Sequence, residues 1–287
     1  MLRIRKNRLA VHAGHFVHHL YRHLSSDYLQ PKRRLRATLD ADVQAKVQGI
    51  LDQRLKDLQL HHVNNGAALV VDHQMHEVLA WVNGGEEKEG IPGGWIDAVV
   101  TPRQPGSTLK SFLYALALQK GWTAATLIED LPLSEPVGFG LHTFRNYSRM
   151  HYGPVVLRDA LGNSLNIPAV RTIQYVGVDT FLNCLHNLGF ASLQRHPDIY
   201  GDGLALGNGE ITLIELVQAY AVFANRGFYR PLKTRLEDES GQYFYRKVFS
   251  PEVASIIGDI LSDPNARRLE FAEAGLLHLP VPFRRFC

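Results

Sequence analysis

Ser107 and Lys110 stand three residues apart at the head of the apolar stretch "PGSTLKSFLYALALQKGW". A serine hydroxyl is a weak nucleophile at neutral pH until something takes its proton. Residues at i and i+3 of a helix share a face, so a helix opening at Ser107 sets the amine one turn from the hydroxyl. Burial of that turn among apolar neighbours lowers a lysine pKa, and the neutral amine can then act as a general base. The helix start adds N–H groups without intrahelical acceptors and a partial positive charge. Both favour the alkoxide, and the oxyanion that follows attack on a carbonyl. The chemistry this spacing suits is acyl transfer through a serine ester. The pattern S-x-x-K alone arises about once by chance in a chain of this size. Its bland alternative is a helix N-cap serine followed by a solvated lysine, but "STLKSFLYALAL" surrounds the lysine with apolar residues.

A second pair lies in "LGNSLNIPAV", where Ser164 and Asn166 flank Leu165 in a turn between two helical patterns. In a turn or extended segment, side chains at i and i+2 point the same way. Such a pair brings a hydroxyl able to relay a proton beside an amide able to hold a peptide carbonyl and the lysine. Taken alone, the same residues suit a turn whose Asn163, Ser164 and Asn166 bond only to backbone.

The elements needed to position these groups can be read along the chain. "DADVQAKVQGILDQRLKDL" predicts a helix capped by Asp40, with Val43, Val47, Ile50, Leu51, Leu55 and Leu58 as its apolar stripe. "GAALVVD" and "EVLAWV", joined by "HQMH", predict a β-hairpin, and "NGGEEKEGIPGG" a loop. The helix opened by Ser107 runs to about Gly121 and, almost without a polar face, should be central and buried. "LRDALGNSLNIPAVRTIQYVG" reads as helix, turn, helix, and "VDTFLNCLHNLGF" as a further amphipathic helix. In "TLIELVQAYAVFANRG", Thr212 and Glu215 form a capping box and Asn225–Gly227 a helix stop. "FYRPLKTRLE" and "YFYRKVF" are short strand candidates, and "SPEVASIIGDILSD" a helix with Ser250 as N-cap and Pro251 in the first turn. Many helices in a block with two to four strands at the ends indicate an α+β arrangement.

Composition bounds the rest. The 287 residues suffice for one large domain or two modest ones, and 45% apolar with 21% charged content is ordinary for a globular chain. A net charge of +3 does not point to nucleic acid. Cys184 and Cys287 are the only cysteines, so neither a disulfide framework nor a metal cluster follows from them. No run approaches the ~18 apolar residues of a membrane span, and the basic start lacks the apolar core of a secretory signal. Residues 1–37 read as a basic linker, with residues 38–287 as the folded domain. His15 and His19 have metal-compatible spacing, but a solvated basic stretch is the expectation there and no metal or cofactor is implied. The Gly-rich "GLALGNGEIT" lacks the spacing of a nucleotide loop. Trp81, Trp95 and Trp122 read as packing residues, and Cys184 as a buried small hydrophobe.

Ordered as they are, the S-x-x-K and S-x-N pairs are the first two elements of a penicillin-binding signature whose third is K-T-G. Together with "GAALVVD", "EVLAWV", "TPRQPGSTLK", "NYSRMHYGPVVLRDALGNSLNIPAVRTI", "GDGLALGNGEITLIELVQAYAVFANRG" and "RPL", the sequence resembles the transpeptidase domain of class A penicillin-binding proteins over roughly residues 35 to 280. The resemblance implies a penicillin-binding/β-lactamase-like α+β fold, with a helical subdomain and an antiparallel sheet. It implies Ser107 as the nucleophile that accepts the acyl group, Lys110 as its base, and Ser164 and Asn166 as the second motif. It also implies peptidoglycan stem peptides as substrates, β-lactams as acylating inhibitors, and action at the periplasmic face of the inner membrane. A glycosyltransferase domain and a membrane anchor precede this part in full-length relatives.

The sequence departs from the pattern at the third motif. "KTR" at Lys233–Arg235 puts an arginine where a glycine must admit substrate to the strand backbone, and it precedes the "SPEVASIIGDIL" helix instead of following it. After "GLLHLP" the sequence reads "VPFRRFC", which matches neither the motif nor a strand. The expectation is a domain truncated before K-T-G, with an incomplete sheet and little or no transpeptidase activity. Two alternatives stay open: a D,D-carboxypeptidase or β-lactamase-like serine hydrolase, for which neither Glu210 nor Glu215 is placed as a deacylating base, and a non-catalytic binding fragment of a decayed enzyme.

Overall fold

The computed structural model describes residues 13–24, 35–84, 96–137, 140–236 and 245–271. The expected loop after Gly84, Trp95, the first residues of "YFYRKVF" and the whole of "GLLHLPVPFRRFC" lie outside them. The chain forms two compact units: Met1–Pro102 with Thr212–Val217 and Pro231–Phe244, and Arg103–Ile211 with Gln218–Arg230 and Tyr245–Cys287.

In the first unit, α1 (Gly14–His23) and α2 (Ala41–Asp57) accompany the expected hairpin of β1 (Ala67–Asp72) and β2 (Glu77–Asn83). The strands are antiparallel, Ala67 opposite Asn83 and Asp72 opposite Glu77, with a bulge between Val70 and Val71. Asp72 Oδ1 closes the turn by accepting from Gln74 N–H at 2.8 Å and Met75 N–H at 2.9 Å. Asp40 caps α2, its Oδ1 accepting from the N–H groups of Asp42 and Val43.

The stripe of α2 differs from the expected one. Ile50 and Leu58 are exposed, while Gln44 is buried. Its side chain donates to Trp81 O at 2.9 Å and accepts from Trp81 N–H at 2.8 Å. A glutamine is buried here because it completes the hydrogen bonding of a strand edge.

Residues 14–23 are not a solvated linker. Phe16 and Leu20 of α1 are buried with Val78, Trp81 and Val99 in one apolar cluster. Phe16 meets Trp81 edge-on, with ring centroids 5.7 Å apart. The His19 ring lies 4.6 Å from that of Trp81, and among the described residues no group of three metal-binding side chains exists. The segment at Lys233–Arg235 pairs within this unit, Lys233 bridging Glu77 and Arg235 bridging Ala37. Its carbonyls accept from Val78 N–H and Thr38 N–H, so its backbone completes the hairpin's own hydrogen bonding.

In the second unit a 3-10 turn, Gly106–Leu109, leads into α3 (Lys110–Gln119). There follow β3 (Leu127–Asp130), β4 (Leu133–Val137), β5 (Gly140–Phe144), β6 (Gly153–Val156), α4 (Leu157–Gly162), α5 (Asn166–Val176), α6 (Val178–Asn187) and α7 (Pro197–Tyr200). The chain continues through α8 (Leu213–Ala224), whose residues up to Val217 belong to the first unit, and then β7 (Phe228–Tyr229), β8 (Arg246–Lys247) and α9 (Pro251–Ser262). The capping box at the start of α8 forms as expected, Thr212 N–H donating to Glu215 Oε2 at 2.8 Å and Glu215 N–H to Thr212 Oγ1 at 3.3 Å. Ser250 caps α9 through Val253 N–H at 3.2 Å.

α3 is buried along nearly its whole length, from Lys110 to Ala115 and at Ala117 and Leu118. Phe112 anchors an aromatic group, stacked on Phe223 at 5.3 Å and edge-on to Tyr220 at 5.0 Å and Phe190 at 5.7 Å. Strands are also found where none was expected, between α3 and α4. β3 pairs antiparallel with β6, Leu127 opposite Val156 and Asp130 opposite Gly153, and β4 pairs with β5. The strands of the first pair are four residues each, too short for alternation to register in sequence. The described strands form four separate antiparallel pairs, and none of the described helices is long and apolar enough to cross a membrane.

Candidate active site

Three of the four residues singled out from sequence meet in one hydrogen-bonded group. Lys110, the first residue of α3, is 1% exposed. Its Nζ donates to Ser164 O at 2.6 Å and Asn166 Oδ1 at 2.6 Å, with Ser164 Oγ at 3.3 Å. Leu109, Ser111, Phe112 and Leu113 around it are buried. Burial penalises the ammonium and brings the Lys110 pKa down from 10.5 to about 7. The two carbonyl acceptors act in the opposite sense and keep the charged form accessible. A proton can therefore leave or join this amine near neutrality.

Ser107 lies in the 3-10 turn one turn earlier and is exposed, its carbonyl accepting from Lys110 N–H. Among the described residues no hydrogen bond joins its Oγ to Lys110 or Ser164. The turn is held from two sides. Tyr220 OH donates to Thr108 O at 2.8 Å and lies 3.1 Å from Ser111 Oγ. Gly106 has φ +58°, and Gly207, with φ +79°, approaches so closely that a Cβ there would meet Gly106 O at 2.2 Å. The Gly-rich "GLALG" stretch thus packs against the turn that carries the serine.

The S-x-N turn has its own strain. Ser164 has φ +55°, an uncommon conformation for a residue with a side chain. This aims its carbonyl at Lys110. Asn166 begins α5, and its Nδ2 donates to Arg145 O at 2.7 Å, which leaves Oδ1 for the lysine.

Two polar residues not singled out from sequence stand behind this turn. Asn146 Oδ1 accepts from Asn166 N–H at 2.8 Å, and Asn146 Nδ2 reaches both carboxylate oxygens of Asp130 at 2.8 and 2.9 Å. Both are buried. The legible signal was the asparagine in "RNYSRMHYG", an amide set among turn residues shortly before a strand. Next to it, a cavity of about 240 Å³ is lined by Pro132, Thr143, Phe144, Arg145, Arg149 and His151.

Comparisons with known proteins give the family of the chain. The chain is 38% identical to penicillin-binding protein 1A of Neisseria meningitidis over 135 residues, 46% of this chain and 16% of that protein. It is 31% identical to penicillin-binding protein 1C of Escherichia coli over 231 residues, 80% of this chain and 29% of that protein. The chain therefore spans less than a third of the length of these relatives. Among solved structures, penicillin-binding protein 1A of Haemophilus influenzae superposes with a TM-score of 0.59 at 27% identity, over 69% of this chain and 35% of the other. A peptidoglycan glycosyltransferase from Burkholderia ambifaria superposes with a TM-score of 0.64 at 23% identity, over 79% and 73% of the two chains, a likeness of fold. The family model for the penicillin-binding protein transpeptidase domain matches residues 66–268, the span that holds Ser107, Lys110, Ser164 and Asn166. The fold, the class A relatives and this match place the chain in the family of penicillin-binding protein transpeptidase domains.

Proposed function

We propose that this chain carries the serine acyl-transfer site of a peptidoglycan D,D-transpeptidase, part of a bifunctional peptidoglycan glycosyltransferase and transpeptidase acting at the periplasmic face of the inner membrane. Ser107 is the nucleophile. Its Oγ attacks the carbonyl of a D-alanyl peptide bond while its proton passes to the neutral Lys110 amine. The C–N bond then breaks, the leaving amine takes a proton delivered through Lys110 and Ser164, and an ester to Ser107 remains. An acceptor amine attacks that ester, restores Ser107 and forms the cross-link. Asn166 holds Lys110 with its oxygen. A β-lactam enters by the same attack and stops at the ester.

The observation that carries this reading is the buried Lys110 amine, bonded to Ser164 and Asn166 one turn from Ser107. The basic wall of Arg145, Arg149 and His151 beside Asn166 suits the carboxylates of a stem peptide. No K-T-G occurs in the 287 residues, so the lysine and strand backbone that would hold the substrate carboxylate in the family pattern are not supplied by them.

Incubation of the purified chain with a fluorescent penicillin, followed by mapping of the labelled peptide, tests the reading. Labelling at Ser107, abolished in Ser107→Ala and in Lys110→Met, is the expected result. Label on another residue, or label indifferent to Ser107→Ala, removes Ser107 from the reaction. Complete absence of label after prolonged exposure at saturating concentration supports instead a non-catalytic binding role.

A further inference from the structure

Asp130, the last residue of β3, is fully buried, and among the described residues it forms no ion pair. A buried carboxylate without a cation needs donors around it. Both of its oxygens accept from Asn146 Nδ2, and Oδ2 accepts also from Tyr152 N–H at 2.9 Å. Asn146 Nδ2 donates further to Met150 O at 2.9 Å. A carboxylate and a carbonyl only accept, so Asp130 and Met150 O together decide which end of the Asn146 amide is which. The oxygen must face the other way, where it accepts from Asn166 N–H at 2.8 Å and Ile167 N–H at 3.4 Å. These are opening N–H groups of α5, which has no side-chain cap of its own. The chain of assignments continues into the site. Asn166 Nδ2 donates to Arg145 O, the residue before Asn146, and its Oδ1 faces Lys110 Nζ.

We propose that Asp130 and Asn146 are positioning residues for acyl transfer: the carboxylate orients the Asn146 amide, Asn146 fixes the first turn of α5, and the Asn166 oxygen is thereby held on Lys110. The inference rests on the acyl-transfer reading above and adds to it two residues that touch neither substrate nor nucleophile. A purely structural role makes a different prediction, because a helix cap that only stabilises the fold leaves the lysine's titration where it was.

The test uses the full chain with Asp130→Asn, with Asn146→Asp, and with both substitutions together. Asn146→Asp puts two carboxylates face to face, whereas Asp130→Asn keeps one acceptor oxygen and turns its new NH2 against Asn146 Nδ2 or Tyr152 N–H. The double change restores the 130–146 match, an amide at 130 donating to a carboxylate at 146 whose second oxygen still accepts from Asn166 N–H, while Met150 O lacks its donor equally in Asn146→Asp and in the double variant and so drops out of their comparison. Two quantities are read, the rate of Ser107 labelling by fluorescent penicillin and the titration midpoint of Lys110 by NMR of lysine-labelled protein. We expect labelling at least ~10-fold slower in Asn146→Asp and a smaller loss in Asp130→Asn, with the double variant clearly faster than Asn146→Asp. We expect the Lys110 midpoint to fall by about one unit in the single variants, as the Asn166 oxygen leaves the ammonium, and to return in the double variant. Single variants with the parent's rate and midpoint overturn the proposal, as does a double variant no better than the worse single one. Where Asp130→Asn does not fold alone, Asn146→Asp against the double variant gives the same decision. A parent chain that never labels at Ser107 defeats the acyl-transfer reading, and the Lys110 midpoints then decide the positioning role by themselves.

Discussion

Lys110 at the start of α3 and Asn166 at the start of α5 are 56 residues apart in sequence, and a 2.6 Å hydrogen bond joins them. The bond brings two helix starts together around an amine that is 1% exposed. Everything proposed for this site depends on that amine changing its charge in the accessible pH range.

The pH profile of Ser107 acylation should therefore carry the signature of Lys110. The base form is the neutral amine, and its pKa is lowered to about 7. The labelling rate should rise with pH through that value and level off above it, about tenfold lower for each unit below. Rates of fluorescent-penicillin labelling between pH 5 and 9 at fixed ionic strength measure this. A flat profile, or one still rising steeply at pH 9, would mean that another group accepts the proton.

Stability should follow the same titration. The folded-state pKa of Lys110 lies below its unfolded value of 10.5. Between about 7 and 10.5 the unfolded chain binds the proton and the folded chain does not. Folding is thus penalised progressively as pH falls through this window, and the penalty is complete below it. The parent should gain about 1.4 kcal/mol of unfolding free energy per pH unit from this group as pH rises across the window. Lys110→Met should lack that slope. Urea denaturation of both proteins at pH 7.5 and 9 gives the comparison, and parallel pH dependences would rule out the lowered pKa. The slope is a cleaner quantity than the absolute difference, because the methionine also leaves Ser164 O and Asn166 Oδ1 without their donor.

The contact between Gly207 and the serine turn gives a third expectation. A Cβ at Gly207 would meet Gly106 O at 2.2 Å and N at 2.5 Å, both backbone atoms, at φ +79°. Gly207→Ala should cost about 1–3 kcal/mol in a denaturant melt and slow Ser107 labelling beyond what the stability loss explains, since the turn itself must shift. Gly258→Ala, in α9 with nothing near its added Cβ, should stabilise or leave stability unchanged and serves as the control.

Much of this site was legible in the sequence because its parts are local. Ser107 and Lys110 sit within one turn, Ser164 and Asn166 within another, and an apolar run around a lysine is itself a statement about burial. The caps at Asp40, Thr212 and Ser250 were legible for the same reason. What stayed hidden depends on distant partners. Asp130 and Asn146 look like ordinary turn and edge residues until pairing of β3 with β6 brings Tyr152 N–H to the carboxylate. Phe16 and Leu20 lay in a basic, histidine-rich stretch whose charge obscured a two-residue apolar anchor that only Trp81 reveals. Tyr220 reaches the serine turn from more than a hundred residues away.

Gln44 is the sharpest case of this kind, and it makes a prediction of its own. A stripe drawn from apolar residues alone skips it for Ile50, yet Gln44 is 1% exposed and Ile50 is 54% exposed. The amide faces β2 at Trp81, donating to its carbonyl and accepting from its N–H, as a third strand would. Removing both contacts leaves a buried backbone donor and acceptor unsatisfied, at about 1–3 kcal/mol each. Gln44→Leu should therefore destabilise the chain by about 2–5 kcal/mol, although it is the more hydrophobic residue and suits the helix. Gln44→Glu separates the two contacts. An ionised carboxylate still accepts from Trp81 N–H but opposes the Trp81 carbonyl; once protonated it can donate to that carbonyl and restore both bonds. Burial and the facing carbonyl both raise the pKa of such a carboxyl. The folded state then binds the proton more tightly than the unfolded state, so Gln44→Glu should regain stability, relative to the parent, as pH falls through that raised value. Urea denaturation of the parent and both variants at pH 7 and pH 5 reads this directly. A Gln44→Leu chain as stable as the parent would show that the two hydrogen bonds contribute nothing net, and that the apolar stripe had been the right account of α2.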